Sequence, residues 1–136
     1  MERKNTKLVK VGNVNIGGRS RISIQSMTNT DSLDKEATFS QVLRLHSAGC
    51  DIVRIAIPTI EAADTIAYIK ERRPDVPIVA DIHFDYKIAL RSVECGVDKI
   101  RINPGNIGDE SRVAAVARAC SLNNIPIRIG VNGGSL

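Results

Sequence analysis

Three segments of the sequence place an arginine among branched apolar residues of the kind that form buried strands. Two of them share the pattern Gly-x-Asp-x-apolar-Arg-Ile and carry Arg54 and Arg101, and the third is an Ile-Arg-Ile segment centred on Arg128. Because successive side chains of a strand point to opposite faces, each arginine lies on the face opposite its apolar neighbours. A guanidinium there is costly unless an anion or a hydrogen-bond acceptor meets it. The three arginines of neighbouring parallel strands are therefore predicted to converge on one site.

This convergence favours a phosphorylated small molecule as the ligand. Three guanidinium groups repel one another unless an anion neutralises them, and the guanidinium fork matches phosphate oxygens in a bidentate way. The alternative is that each arginine pairs with a carboxylate of the core. Asp51, Asp81 and Asp98 are the available partners.

Further polar residues share a strand face or a strand end with the arginines. Asp81 and His83 lie two residues apart, a pairing that suits proton transfer or the orientation of a substrate hydroxyl. A purely structural hydrogen bond is the alternative, and two ligands on one strand are weak support for a metal site. Asn103 and Asn132 follow the second and third arginine strands and could position a substrate oxygen, although asparagine is also common in turns.

Composition and length describe one globular domain. The chain of 136 residues has 43% hydrophobic and 25% charged residues and a mild net charge of +4. Aromatic residues make up only 3%, which disfavours a nucleic-acid partner. No apolar run approaches the roughly 18 residues of a membrane span, and no signal-peptide pattern is present. The three cysteines form no CxxC pair and are expected to be buried free thiols, so a cytoplasmic location is predicted.

Alternating strand and helix patterns indicate an α/β fold with a parallel sheet covered by helices. A β-hairpin around Gly12-Asn13 is predicted to precede about five strands and four helices. Because a closed barrel needs about 250 residues, two interpretations compete: a complete open doubly wound sheet, and the first half of a (β/α)8 TIM barrel. The repeated arginines favour the half-barrel, whose strands turn one face to a common centre and whose bottom the hairpin would close. The predicted strands span about residues 22–27, 51–57, 78–83, 98–103 and 125–131.

Six motifs that together reach across nearly the whole chain resemble those of the 4-hydroxy-3-methylbut-2-en-1-yl diphosphate synthases. They lie at residues 11–14, 24–30, 48–54, 79–85, 99–108 and 127–132. This family comprises the iron–sulfur oxidoreductases of the non-mevalonate pathway of isoprenoid (terpenoid) biosynthesis.

The resemblance implies an N-terminal (β/α)8 barrel joined to a C-terminal domain that carries a 4Fe-4S cluster. Such an enzyme opens 2-C-methyl-D-erythritol 2,4-cyclodiphosphate reductively, with elimination of water, using two electrons from ferredoxin or flavodoxin. Residues 1–136 would be the N-terminal part of the substrate-binding barrel, with the iron–sulfur domain and its ligands absent from this chain. The chain alone is expected to be inactive.

The resemblance also implies roles for individual residues. Arg54, Arg101 and Arg128 would bind the diphosphate. Asp81, His83, Asn103 and Asn132 would line the substrate. No catalytic residue and no metal ligand is assigned within the chain, because its cysteines do not match the cluster ligands of the family.

Open strand edges in a half-barrel predict a homodimer that completes or mimics the barrel. Two other functions stay open. One is a different phosphate-binding TIM-barrel enzyme, such as a pterin or sugar-phosphate synthase. The other is an anion-binding module without enzymatic activity.

Overall fold

The computed structural model describes residues 5–131 of the chain. Within this range the chain forms two sheets and a set of helices that follow the strands of the larger sheet. The strands are β1 (Val9–Val11), β2 (Val14–Ile16), β3 (Gln25–Met27), β4 (Ile52–Ala56), β5 (Ile78–Ile82), β6 (Lys99–Ile102) and β7 (Ile127–Ile129). The α-helices are α1 (Lys35–Ser47), α2 (Asp64–Arg72), α3 (Tyr86–Glu94), α4 (Pro104–Ile107) and α5 (Glu110–Leu122).

The larger sheet decides between the two predicted architectures. Its strands are parallel and follow in the order β3-β4-β5-β6-β7, without the reversal that defines a doubly wound sheet. The sequential order is that of a barrel wall, so the prediction of a partial (β/α)8 barrel is confirmed and the doubly wound alternative is wrong.

The apolar face of the sheet packs against the helices and forms the main core. Alternation along each strand supplies this face, because every second residue of β4, β5 and β6 is a branched or small apolar side chain. Helices α1, α2 and α3 contribute their own buried residues. The fully buried side chains of this cluster include Val42, Val53, Ile55, Ile66, Ile69, Ile78, Ile82, Ile100 and Ile102.

The β1-β2 hairpin covers the opposite face of the sheet near the start of its strands. Val11 forms a second buried cluster with Ile52 and Val79, which belong to β4 and β5. Gly12 makes the turn with a φ of +56°, and a Cβ atom there would lie 3.1 Å from Oδ1 of Asp98. The hairpin therefore closes one end of the inner face and leaves the carboxyl end of the strands open.

The aspartates of the repeated Gly-x-Asp pattern join neighbouring strands. Asp51 Oδ2 accepts a hydrogen bond of 2.8 Å from the backbone N–H of Ile24, and Asp98 Oδ2 accepts one of 2.8 Å from Ile78 N–H. Asp98 Oδ2 also accepts a hydrogen bond of 2.7 Å from Lys70 Nζ. Asp51 pairs with Arg21, and these hydrogen bonds hold the pKa of the Asp51 carboxyl below its ordinary value. Both carboxylates therefore stabilise the pairing of neighbouring strands.

The structure differs from the predicted elements in detail. Strands β3 and β7 are limited to three residues each, and the short helix α4 directly follows Asn103, as a fifth α-helix where about four were predicted. The helix forms because Pro104 suits its first position and Asn103 Oδ1 accepts a hydrogen bond from Gly105 N–H at 3.0 Å. The hydroxyl of Thr59 accepts a hydrogen bond from Ala62 N–H at 3.1 Å and opens a short 3₁₀ turn before α2. Over residues 5–131, no helix combines the length and apolarity needed to span a bilayer.

Candidate anion-binding site

The inner face of the sheet carries a row of polar residues at the carboxyl end of its strands. Asp81 of β5 is in register with Arg101 of β6, and Arg101 is in register with Arg128 of β7. Arg54 is in register with Val79, so it lies one inward-facing position earlier than this row. The three arginines share a face as predicted, but they do not share one level, because the sequence repeat does not fix the register between strands.

One buried carboxylate links two of the arginines. The Asp81 side chain is 2% exposed, and its Oδ2 lies 2.6 Å from Nη2 of Arg54. Its Oδ1 lies 3.5 Å from Nη1 of Arg101. The alternative that each arginine pairs with a carboxylate of the core therefore holds for Arg54 and Arg101, which share Asp81.

His83 follows the end of β5 and contacts the same carboxylate. Its Nε2 lies 3.1 Å from Oδ2 of Asp81, whereas its side chain remains 46% exposed. An ionised Asp81 accepts hydrogen bonds only, so it favours the tautomer in which Nε2 carries the proton. The neutral ring then presents Nδ1 as an acceptor.

The end of β6 supplies the remaining wall of the site. Asn103 is 2% exposed, and its Oδ1 is engaged in capping helix α4. It nevertheless lines a cavity of about 390 Å³ together with Arg54 and Arg101, which form the Asp81 cluster with that carboxylate. The full lining is Arg54, His83, Phe84, Arg101, Asn103 and Asn106. Asn132, the last of the predicted site residues, lies outside the described residues.

Arg128 stands apart from the Asp81 cluster. Its side chain is exposed, and within residues 5–131 it forms no ion pair. It borders a second cavity of about 640 Å³ on the inner face, which Lys99 and Gln25 also line. Burial, with a smaller contribution from the positive charge of Arg128, lowers the pKa of the Lys99 ammonium. The inner face therefore has an excess of positive charge, since its described residues include Arg54, Arg101, Arg128 and Lys99 but only one carboxylate, Asp81.

Comparison with known proteins settles the family. A family model described as the GcpE TIM-barrel domain matches residues 6–136. The chain belongs to this family.

The relatives of this GcpE TIM-barrel chain include named enzymes. It is 57% identical over 136 residues to a 4-hydroxy-3-methylbut-2-en-1-yl diphosphate synthase (flavodoxin) of Clostridium perfringens, covering 100% of this chain and 39% of the relative. It is 55% identical over 134 residues to the enzyme of the same name from Listeria monocytogenes, covering 98% and 36%. The chain thus spans less than two fifths of the length of these relatives.

Solved structures confirm the architecture of the GcpE TIM-barrel chain. The dihydropteroate synthase of Xanthomonas albilineans superposes with a TM-score of 0.64 at 17% identity, covering 93% of this chain and 50% of the other. The 7,8-dihydropteroate synthase of Vibrio fischeri gives a TM-score of 0.63 at 16% identity, covering 90% and 48%. At such identities the likeness concerns the fold alone.

The cysteines of the GcpE TIM-barrel chain do not fit a 4Fe-4S cluster. Cys50, Cys95 and Cys120 are buried free thiols on separate elements, as expected from the sequence. Burial raises the pKa of the Cys120 thiol to about 11, whereas cluster ligands are thiolates. Among the described residues no group of three or more histidine, cysteine or acidic side chains could hold a metal ion.

Sequence reasoning missed two residues that line the cavity of the site. Phe84 is 73% exposed at the cavity mouth, and its ring centroid lies 6.1 Å from that of His83. An aromatic residue placed directly after a strand end, in a chain with so few aromatics, was the signal for it. Asn106 lies in the short helix α4, and no sequence pattern indicated its position beside the cavity.

Proposed function

We propose that this chain forms the N-terminal, substrate-binding part of a 4-hydroxy-3-methylbut-2-en-1-yl diphosphate synthase. The observation that carries the proposal is the buried Asp81 carboxylate, which holds Arg54 and Arg101 side by side at the open end of the barrel wall. Active sites of (β/α)8 barrels lie at this end of the strands. The high identity to relatives of that name supports the same assignment.

The charges of the inner face suit a substrate with two phosphate groups. One carboxylate cannot neutralise the guanidinium groups of Arg54, Arg101 and Arg128, so the site retains about two positive charges. A cyclic diphosphate supplies the missing negative charge. Because Asp81 orients two of the guanidinium groups before the ligand arrives, binding costs less ordering of these long side chains.

The remaining polar residues are proposed to orient the carbon skeleton. His83 is held at Nε2 by Asp81, and its Nδ1 can accept a hydrogen bond from a substrate hydroxyl. Asn103 forms part of the cavity wall beside Arg101. Asn132, which follows Gly130 by two residues in the sequence, is proposed to contact the substrate as well.

The proposed reaction needs groups that these residues do not provide. The substrate 2-C-methyl-D-erythritol 2,4-cyclodiphosphate takes up two electrons, its ring opens, and one hydroxyl oxygen leaves as water after protonation. The electrons would come from flavodoxin or ferredoxin through a 4Fe-4S cluster whose ligands lie outside this chain. Flavodoxin is the donor that the names of the relatives give for those enzymes. On this chain, the side chains bind and orient the substrate, and the 136 residues alone are proposed not to turn it over.

The proposal includes a homodimer and a cytoplasmic location. Both outer edges of the five-stranded sheet, at β3 and β7, are unpaired within the described residues, and Ile24 and Ile129 beside them are 59% exposed. Such edges favour pairing with another chain. The free thiols favour a reducing compartment. Light scattering at high concentration tests the dimer, and a monodisperse monomer would contradict it.

Calorimetric titration with 2-C-methyl-D-erythritol 2,4-cyclodiphosphate tests the proposed function. We expect Arg101→Ala to weaken binding by about tenfold or more, because it removes a charge-assisted hydrogen bond. Arg118→Ala, which removes an exposed arginine of helix α5, is the matched control and should bind like the original chain.

A ribose phosphate with a single phosphate group serves as the competing ligand in the same titration. Tighter binding of that compound would favour the alternative of a sugar-phosphate enzyme. Equal affinities of Arg101→Ala and Arg118→Ala for the cyclodiphosphate would overturn the proposal. Turnover by the 136-residue chain after cluster reconstitution would also overturn it.

A further inference from the structure

Gly130 lies next to the guanidinium group of Arg101. It follows the end of β7, and its N–H donates a hydrogen bond of 2.9 Å to the carbonyl oxygen of Ile102 in β6. A Cβ atom built on Gly130 would lie 2.5 Å from Nε, 2.6 Å from Nη2 and 2.8 Å from Cζ of Arg101. Non-bonded carbon contacts are about 3.5 to 4.0 Å, so a side chain at this position would require the Arg101 guanidinium to move.

The need for glycine here is a matter of space and not of backbone conformation. Gly130 does not have the positive φ that other glycines of this chain adopt, such as Gly96 with a φ of +90°. An alanine at position 130 therefore meets no backbone strain. The atoms that it would displace all belong to the far end of one flexible side chain, so the guanidinium of Arg101 moves and the strand does not.

A shift of the Arg101 guanidinium would disturb the anion-binding site. Its Nη1 is held at 3.5 Å from Asp81 Oδ1, a long contact that resists displacement poorly, whereas Arg54 holds the same carboxylate at 2.6 Å. Contact with Gly130 is thus a main determinant of where the Arg101 fork points. Bidentate binding of a phosphate group depends on this direction.

We infer that Gly130 is a positioning residue that sets the orientation of the Arg101 guanidinium for anion binding. The inference rests on the proposed function for the identity of the ligand, but not for the contact itself. Gly130 would act through Arg101 and not through a contact of its own with the ligand. Its effect should therefore disappear when Arg101 is absent.

The contact is tested first without any ligand, in the protein at its full natural length. The NMR signal of the Arg101 Nε–H group is assigned by its loss in Arg101→Ala. We expect Gly130→Ala to shift this signal and to speed its exchange with solvent, while the unfolding midpoint stays close to that of the original protein. An unchanged Nε–H signal would overturn the inference whether or not the proposed function holds.

A double-mutant cycle then tests the consequence for binding of 2-C-methyl-D-erythritol 2,4-cyclodiphosphate. We expect Gly130→Ala to weaken binding by about tenfold or more in the original protein, since displacements near 1 Å are costly at such sites. In the Arg101→Ala background the same substitution should change the affinity by less than about twofold. An equal loss in both backgrounds would overturn the inference. Absence of binding by the original protein would instead refute the proposed function, and the NMR result would still decide the positioning role.

Discussion

Arg54 and Asp81 lie on adjacent strands, two residues out of register, and their side chains nevertheless meet at 2.6 Å. Arg54 is paired with Val79, and its long side chain extends along the inner face to reach the next inward-facing residue of β5. The same carboxylate then meets Arg101 from the other side. The shared Asp81 carboxylate determines the shape of the site, because it draws the guanidinium of Arg54 toward that of Arg101, although Arg54 lies one inward-facing position earlier.

The first prediction concerns the loss of the shared carboxylate. Asp81→Asn should lower the free energy of unfolding by about 1–3 kcal/mol, because two partly buried guanidinium groups lose their counterion. Added cyclodiphosphate should raise the unfolding midpoint of this variant less than that of the original chain, since Asp81 no longer orients Arg54 and Arg101 for the ligand. Thermal unfolding with and without ligand measures both effects.

Asp98→Asn is the matched control for this prediction. It also removes a carboxylate with a cationic partner, Lys70, but the contacts of Asp98 lie at the start of β5 and β6. We expect it to destabilise the chain while leaving the ligand-induced shift unchanged. Ligand-induced shifts of the same size in both variants would contradict a role of Asp81 in the site.

The second prediction separates ligand binding from folding at Arg128. This side chain is exposed and forms no ion pair in the described part of the chain, so Arg128→Ala should change the free energy of unfolding by less than about 0.5 kcal/mol. Affinity for the cyclodiphosphate should fall by about tenfold, and Arg128→Lys should recover only part of it, because lysine lacks the planar fork. Urea unfolding and calorimetric titration give the two quantities. A large loss of stability in Arg128→Ala would show that the residue serves the fold.

The third prediction concerns pH and Lys99, whose pKa is lowered from the ordinary value of 10.5 by burial first and by Arg128 second. The unfolded chain binds this proton more tightly than the folded chain, so the charged lysine destabilises the fold at neutral pH. Lys99→Met should therefore be the more stable protein at pH 7. This advantage should shrink as the pH rises from the lowered pKa toward 10.5.

Urea unfolding at pH 7 and pH 10 measures this pH dependence. Lys10→Met, which replaces an exposed lysine of the hairpin, is the control and should show no such trend. The same Lys99→Met substitution should weaken binding of the cyclodiphosphate, because it removes a positive charge from the inner face. A gain in stability that does not depend on pH would point to packing of the methionine instead.

The fourth prediction concerns the buried thiol of Cys120. Burial raises its pKa to about 11 from an ordinary value of 9.0, so it stays protonated in the folded chain at pH 8. Since the thiolate is the reactive form, alkylation by iodoacetamide should be slow until the chain unfolds. The neutral thiol contributes stability below pH 9 that is lost as the pH rises toward 11. Mass spectrometry after timed alkylation at pH 8 measures the rate, and rapid labelling of the folded chain would contradict the burial.

Local chemistry, which can be read from the sequence, determined the elements and the faces of the strands. Alternation of side chains is a property of the extended backbone, so the pattern around Arg101 already showed that it lies opposite Ile100 and Ile102. The hairpin turn at Gly12 and the cap at Thr59 are likewise short-range effects, and both are present in the structure. Strands β3 and β7 are shorter than predicted, and the short helix after Asn103 brings the α-helices to five where about four were predicted.

The tertiary structure alone decided which polar groups meet. Register between strands depends on packing across the whole sheet, so no local pattern could place Arg54 one level before Arg101 or give both of them the same carboxylate. For the same reason, the sequence could not show that Asp98 clamps β5 to β6, since its partner Ile78 is 20 residues away along the chain. The space that Gly130 leaves for the Arg101 guanidinium likewise exists only once β6 and β7 are paired.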